Sequence, residues 1–549
     1  MCALNLACII LSFIPFFTVV FPIPDSRCLF SLVVVLPVVS TATLLADVSL
    51  PSLFSNGAVL QREQSIPVWG KADAGEDVTV TLNNKKAEAT ADASGNWLVN
   101  LPALPAGGPF EMKVKGKNEI VVSDIAIGEV WIASGQSNME FKLGRVGKKP
   151  NAHYIQAARV EIKAANDPML RMFTLKRNLA LQPLSNMEAV GGPWQAASPE
   201  NAGRFTAVGY YFAKELRQKL GVPVGIIHTS WGGSPAEAWM SLPGLKTNAV
   251  LAHYIEKREH WINNAPQIER EYKEVTLVKW KAAVTEAKAA GKSGPRRPRA
   301  PTGPQSPHLP GNLYNGMLHP LAPYGIRGAI WYQGESNASR GKEYRTLFPA
   351  MIRDWRKLWN QGEFPFLFVQ LANFQDPQTT PVEKASWPVL REAQMQTLSL
   401  RGTGMASAID LADAENPGDI HPHNKKEVGH RLALNAFALV YNLKVPSYSG
   451  PLYSGMTTEG NKVRLNFQHA DGGLKAKGDR LAGFAIAGKD GNFVWADASI
   501  DDNTVVVSSE TVKEPVAVRY GWAMNPIGNL YNGEGLPASP FRTDTEAEE

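Results

Sequence analysis

The chain has 549 residues, 44% hydrophobic and 19% charged, with 56 Lys and Arg against 51 Asp and Glu for a net charge of +5. That length corresponds to roughly three to four folded units with ample apolar material for a core, which excludes a lone small module, wholesale disorder and a coiled coil. The near-balanced charge, without an interleaved basic and aromatic run, argues against nucleic acid as a partner.

Residues 1–46 stand apart. They hold all three cysteines, Cys2, Cys8 and Cys28. The rest of the chain therefore has no disulfide framework, no cysteine-ligated metal and no cysteine nucleophile. Leu29 to Val39, preceded by Arg27 and followed by Ser40-Thr41-Ala42, reads as the apolar region and small-residue cleavage site of a signal peptide. A further apolar stretch, Ile9 to Pro22, makes the segment longer than an ordinary leader, so an N-terminal anchor stays open as the alternative. Either reading makes the protein secreted or periplasmic. No later stretch approaches the ~18 consecutive apolar residues of a spanning helix.

From 47 to 123 short alternating runs such as Val78-Thr79-Val80-Thr81-Leu82, separated by turn residues such as Ala93-Ser94-Gly95, predict a small β-domain. From 124 to 444 buried strands alternate with helical stretches: Glu129 to Ala133, a helix over Gly209 to Leu220, a strand at Val224 to Ile227, a helix over Tyr344 to Leu358, a strand at Phe366 to Val369. That alternation predicts an α/β domain on a parallel sheet. About 246–310 interrupts it with a Glu-, Lys- and Ala-rich helical insertion ending in the Pro- and Arg-rich run Pro295 to Arg299, read as a solvated linker. Gly291-Lys292-Ser293 is not a phosphate loop, because Glu286 stands where that motif needs glycine and no buried strand precedes it. Short alternation returns over 445–543, predicting a second β-domain, and 544–549 is an acidic tail.

Ester hydrolysis by covalent catalysis needs a nucleophile, a base, a group to orient the base, and donors aimed at the developing oxyanion. Ser137 follows a buried strand in Gly135-Gln136-Ser137-Asn138, where glycine permits a tight turn. It is not the Gly-x-Ser-x-Gly elbow, since Asn138-Met139 follow. A base candidate comes late, His421 in Asp419-Ile420-His421-Pro422-His423. Asp419, His421, His423 and His430 are also potential metal ligands, but their spacing is not that of a helical zinc pair, and no metal or other cofactor is expected. Ser230-Trp231-Gly232-Gly233-Ser234 offers backbone donors, and Trp331-Tyr332-Gln333-Gly334-Glu335-Ser336-Asn337 places amides and a carboxylate after another apolar strand. The sequon Asn337-Ala338-Ser339 lies inside this last motif, where a glycan would block the site, which favours a bacterial envelope over a eukaryotic secretory route.

Taken in order, Gly128 to Glu140, Ala207 to Leu216, Thr229 to Trp239, Gly328 to Asn337 and Ile420 to Leu434 resemble the sialate O-acetylesterase family of the SGNH hydrolase superfamily, related to acetylxylan esterases. The resemblance implies a three-layer α/β/α core on a parallel sheet, flanked by N-terminal and C-terminal β-sandwich-like domains. It implies an acetylated sugar or glycan as substrate, acetate as product, Ser137 as nucleophile and His421 as general base. The N–H groups of Ser137 and Gly233, with an amide from Gln333 or Asn337, would form the oxyanion hole, and Gln136 and Asn138 would lie at the substrate. One departure concerns the third group: many members carry aspartate three residues before the histidine, where this chain has Gly418. Glu335 is ranked first for that role, Asp419 second, Asp413 third, and a serine–histidine dyad without a carboxylate stays open. An acetylxylan or other polysaccharide deacetylase, and a glycan-binding protein without turnover on the same scaffold, are the competing readings.

Overall fold

The long strand β1, Glu119–Gly135, explains how the chain is assembled. Its first residues alternate between exposed and buried, as in a sheet with one wet face, whereas from Ile125 onward every residue is buried, as in a parallel sheet covered on both sides. The change comes at Asp124, a left-handed residue with φ 56°, whose backbone carbonyl and carboxylate both accept hydrogen bonds from the buried Arg171. The computed structural model describes residues 47–146 and 151–544. The expected leader or anchor lies outside the described residues.

Gly107–Lys115 pairs antiparallel with β1 on both sides of that kink, Val59–Gln61 pairs parallel with Ala126–Gly128 just beyond it, and Asp77–Leu82 with Lys85–Thr90 extends the same sheet. Ile66–Lys71 and Asn96–Leu101 form a separate antiparallel pair. C-terminal to the kink, β1 is central to a parallel sheet with β2 (Asp167–Thr174), β3 (Val224–Ser230), β4 (Gly328–Tyr332), β5 (Phe366–Gln370) and β6 (Thr403–Ser407). The spatial order is β6, β5, β4, β1, β3, β2, and the short Gln195–Ala197 closes one edge in antiparallel sense.

Strand register decides which helices cover which face. Ile330 of β4 pairs with Ala133 of β1 and Trp331 with Ser134, so Trp331 points to the face opposite Ala133 and Trp131. Trp131 packs on Phe212 of α1 (Ala207–Leu220), 5.1 Å between ring centres. Trp331 packs on Phe348 and Trp355 of α2 (Gly341–Trp359). The helix α3 (Ser386–Gln396) joins α2, and α4 (Lys425–Leu439) packs beside α1. The result is the expected three-layer α/β/α arrangement. Thr206 caps α1 at Gly209 N–H and left-handed Gly221 ends it; Asn424 caps α4 at Glu427 N–H.

Residues 253–289 are helical: His253–Asn263, Ala265–Glu271 and Leu277–Ala289, joined through the wide turn Tyr272–Thr276. The Pro- and Arg-rich run folds back on them, with Trp280 donating to the Pro295 carbonyl and Tyr272 to that of Pro298. The C-terminal part builds two antiparallel four-stranded sheets around their own apolar cluster, which includes Val463, Phe484, Val505 and Phe541. Fully buried Arg391 of α3 fastens this part to the central sheet: it donates to the carbonyls of Leu371 and Ala372 on one side and of Ala523 and Met524 on the other. The described residues form a single compact unit by their internal contacts. Among the described residues no helix is long and apolar enough to cross a membrane.

Candidate active site

In a parallel sheet the carboxyl ends of all strands lie on one edge, where loops converge. The motif loops of this chain follow the carboxyl ends of β1, β3, β4 and β6. At the end of β1, Gly135 has φ 136° and touches β4 so closely that a Cβ there would stand 2.2 Å from the Tyr332 carbonyl oxygen. Only glycine fits, and the chain can then turn into the one-turn helix Ser137–Glu140 with Ser137 as its first residue. The Ser137 N–H is one of the donors a helix start leaves unpaired.

The loop after β3 lies directly against this serine. A Cβ on Gly232 would stand 3.4 Å from the Ser137 Cβ and 2.9 Å from Glu140 Oε2, which accepts the Gly232 N–H. Gly233 is left-handed, φ 79°; its carbonyl accepts the Ser336 hydroxyl, and its N–H has no partner among the described residues. Arg177 stacks on Trp231 and pairs with Glu140, completing the clasp on this loop.

His421 follows a turn closed by Asp419, whose Oδ1 accepts both the His421 backbone N–H at 2.9 Å and the His421 Nδ1 at 3.2 Å. Nε2 has no hydrogen bond among the described residues, and none links it to Ser137. What joins the serine and histidine loops is Asn138: its amide donates to the Ile420 carbonyl at 3.0 Å and to Glu335 Oε1, and its oxygen accepts from Lys425 Nζ. Asn138 is thus spent on its protein partners rather than turned to substrate.

The carboxylate at the imidazole is that of Asp419, not Glu335. The sequence ranking assumed an extended segment in which residues two apart do not meet; the Asp419 turn bends the chain and brings them together. Glu335 contacts Asn138, and its Oε2 is buried without a partner. Asp413 lies by Asn151 and 3.8 Å from His423.

Gln333 and Asn337 also differ from their expected place. Both are fully buried. Gln333 directs its amide hydrogens at Ser234 O and Asn337 Oδ1, while Asn337 bridges the Ala236 N–H and Glu237. Buried amides must find partners, and these hold the Ser230–Ser234 loop from below. Gln136 stitches the serine turn to the β4 loop: its N–H donates to Tyr332 O and its side-chain oxygen accepts from Ser336 N. Asn337 is equally out of reach of a glycosylating enzyme in the folded chain. Among the described residues no three His, Asp or Glu side chains converge as metal ligands.

Comparison with known proteins fits this geometry. The model of the family described as carbohydrate esterase, sialic acid-specific acetylesterase, matches residues 127–270 and 305–438. The human sialate O-acetylesterase is 30% identical over 533 residues, 89% of this chain and 91% of the human one. The chain belongs to this family. The mouse sialate O-acetylesterase is 28% identical, again over 89% of this chain and 93% of the mouse one. The solved structure of a carbohydrate acetylesterase from Xanthomonas citri, 40% identical, superposes with a TM-score of 0.74, covering 91% of this chain and all of the other.

As a member of the sialic acid-specific acetylesterase family this chain is an esterase, and the matched segments contain Ser137, Gly233, Glu335, Asp419 and His421. The gap between them, after 270 and before 305, takes in the helix Leu277–Ala289 and the Pro- and Arg-rich run.

The electrostatics of the site follow from burial. Burial, with the charges of Lys425 and Arg145, pushes His421 down to about 4 against the opposing pull of Asp419. The ring is then neutral at pH 7, the form that accepts a proton. Burial raises the Glu335 carboxyl above its ordinary range, and burial pushes Lys425 down to about 7 while Glu335 opposes it. Arg177 lies outside the segments that carry the family resemblance, and Glu140 and Lys425 lie inside them with no role assigned from sequence. Lys425 opens a helix, where a charge reads as solvated, and only the fold reveals that it is buried beneath Asn138.

Proposed function

We propose that the protein removes O-acetyl groups from acetylated sugars, sialic acids foremost, through an acetyl-serine intermediate. The Ser137 oxygen attacks the acetyl carbonyl carbon while His421 Nε2 takes its proton. The carbonyl electrons move onto the oxygen, where the N–H groups of Ser137 and Gly233 stabilise the negative charge; one such donor is worth about 10² to 10³ in rate. The oxyanion collapses, the sugar oxygen leaves, and His421 returns the proton to it as a hydroxyl. Water, deprotonated by the same ring, then attacks acetyl-Ser137, acetate is released, and the ring returns that proton to the departing serine oxygen. Asp419 keeps the proton of the neutral imidazole on Nδ1, leaving Nε2 as the base.

The observation that carries this reading is the Asn138 bridge, which ties the turn of Ser137 to the residue before His421. The family match and the human and mouse sialate O-acetylesterases support the sialate substrate. The apolar segment 1–46 supports an extracytoplasmic enzyme, to be checked by N-terminal sequencing of the exported protein.

The test is a panel of O-acetylated N-acetylneuraminic acid, acetylated xylan and acetylated pectin, scored by released acetate. The proposal expects the highest kcat/KM on the sialate. Turnover of xylan or pectin with none of the sialate would replace the substrate and leave the esterase chemistry in place.

A further inference from the structure

Beside the reaction centre the chain encloses a cavity of about 330 Å³. Its lining includes Phe141 and Arg145, which follow Ser137 in the chain, His423, Lys425 and Lys426, which follow His421, and Tyr154. Among the described residues lining it there is no Asp or Glu.

Three features are unexplained by the fold. Arg145, exposed at the rim, stacks its guanidinium on Phe141 at 4.8 Å and forms no ion pair among the described residues. His423 is buried, with neither ring nitrogen hydrogen-bonded, and Asp413 at 3.8 Å from Nδ1 is beyond hydrogen-bond reach. Buried polar groups are satisfied in the great majority of cases, so an unpaired imidazole in a cavity wall calls for a ligand. Lys426 is exposed and adds a second unpaired cation at the rim. With aromatic walls, Arg145, Lys425 and Lys426 as its lining charges and Asp413 behind His423, the cavity is matched by a sugar ring that carries an acid group.

We propose that this cavity is a subsite for the carboxylate of an acidic acetylated sugar, bound by Arg145 and His423 while the acetyl ester lies between Ser137 and His421. The subsite rests on the esterase reading and adds to it a chemical reason for choosing acidic over neutral substrates. The carboxylate could belong to a sialic acid or to a uronic acid.

Four substrates separate these: O-acetylated N-acetylneuraminic acid and its methyl ester, and an O-acetylated uronic acid and its methyl ester, each assayed by acetate release. The wild-type enzyme is expected to favour one free acid over its methyl ester by about ten-fold in kcat/KM, mostly through KM, the scale of a charge-assisted contact. The pair showing the preference identifies the sugar. In Arg145→Gln the preference falls to near unity, and Arg145→Lys retains part of it. Equal rates on acid and methyl ester in both pairs, or an unchanged preference in Arg145→Gln, would overturn the subsite. 4-Nitrophenyl acetate hydrolysis by wild type and Ser137→Ala keeps the two ideas apart. Ser137-dependent hydrolysis without any acid preference sinks the subsite alone, whereas hydrolysis equal in the two proteins sinks the esterase reading beneath it.

Discussion

The Asn138 side chain donates to the Ile420 carbonyl at 3.0 Å, which fastens the residue after Ser137 to the residue before His421 across 282 positions of sequence. The same amide holds Glu335, and its oxygen holds Lys425. Asn138→Ala leaves buried Lys425, at about 1–3 kcal/mol, and the part-buried Glu335 and Ile420 carbonyl without this partner, and lets the two loops drift. A misplacement of about 1 Å costs on the order of 10² in rate. We expect a lower melting temperature together with a fall in kcat of that size; an unchanged kcat in the folded variant would mean that the bridge does not position the site.

Asp419, not Glu335, touches the imidazole. Asp419→Asn is expected to lower kcat by about 10²-fold or more, because the neutral amide no longer stabilises the imidazolium that forms and its NH2 can donate to Nδ1, which favours the wrong tautomer. Glu335→Gln should stay within about ten-fold of wild type, since burial already drives that carboxyl toward its neutral form and an amide mimics it in shape. Steady-state kinetics on both variants decide, and the reverse order would return the orienting role to Glu335.

The fold was legible where one physical signal acted alone. Continuous apolar runs such as Glu129 to Ala133 and Phe366 to Val369 marked the parallel strands, and alternation in Val78 to Leu82 marked a half-buried one. The tight turn before Ser137 was legible because glycine stands at 135 after a buried strand, and the structure gives the reason, a close approach to the Tyr332 carbonyl. Roles that depend on which way a side chain faces were not. The resemblance makes Gln333 or Asn337 an oxyanion donor, yet both side chains are spent on buried partners beneath the Ser230–Ser234 loop. Asp419 ranks behind Glu335 in the sequence because only the turn shows that its carboxylate reaches His421 Nδ1, and the burial of Lys425 beneath Asn138 has no sequence signal.

Proton affinity supplies an independent check. With His421 held down to about 4, its neutral form persists into acid, so kcat/KM should fall only as pH drops through about 4, not near the 6.5 of a free imidazole. Lys425 is one of the charges pressing that value down, so Lys425→Met moves the acid limb upward. A wild-type inflection near 6.5 in the pH–rate profile, or a downward move in the variant, would contradict this assignment.

The glycine pair after β3 permits little change. Gly233→Ala meets open space but is forced into a left-handed backbone at about 1 kcal/mol or more, which re-aims the N–H proposed to hold the oxyanion. The expected loss is about 10² in kcat with KM little changed. Gly232→Ala pushes a methyl to 2.9 Å from Glu140 Oε2 and against Ser137, so it should raise KM for even the smallest acetate ester. Kinetics on 4-nitrophenyl acetate separate the two effects, and a Gly233→Ala variant with wild-type kcat would remove that N–H from the mechanism.

The central claim is that Ser137 is the nucleophile and His421 activates it. Mass spectrometry of the protein after treatment with a fluorophosphonate, which labels activated serines covalently, tests this directly. The account predicts one adduct per chain, on the peptide containing Ser137, absent in Ser137→Ala and formed far more slowly in His421→Ala. Labelling at another serine, or equal labelling rates with and without His421, would contradict it.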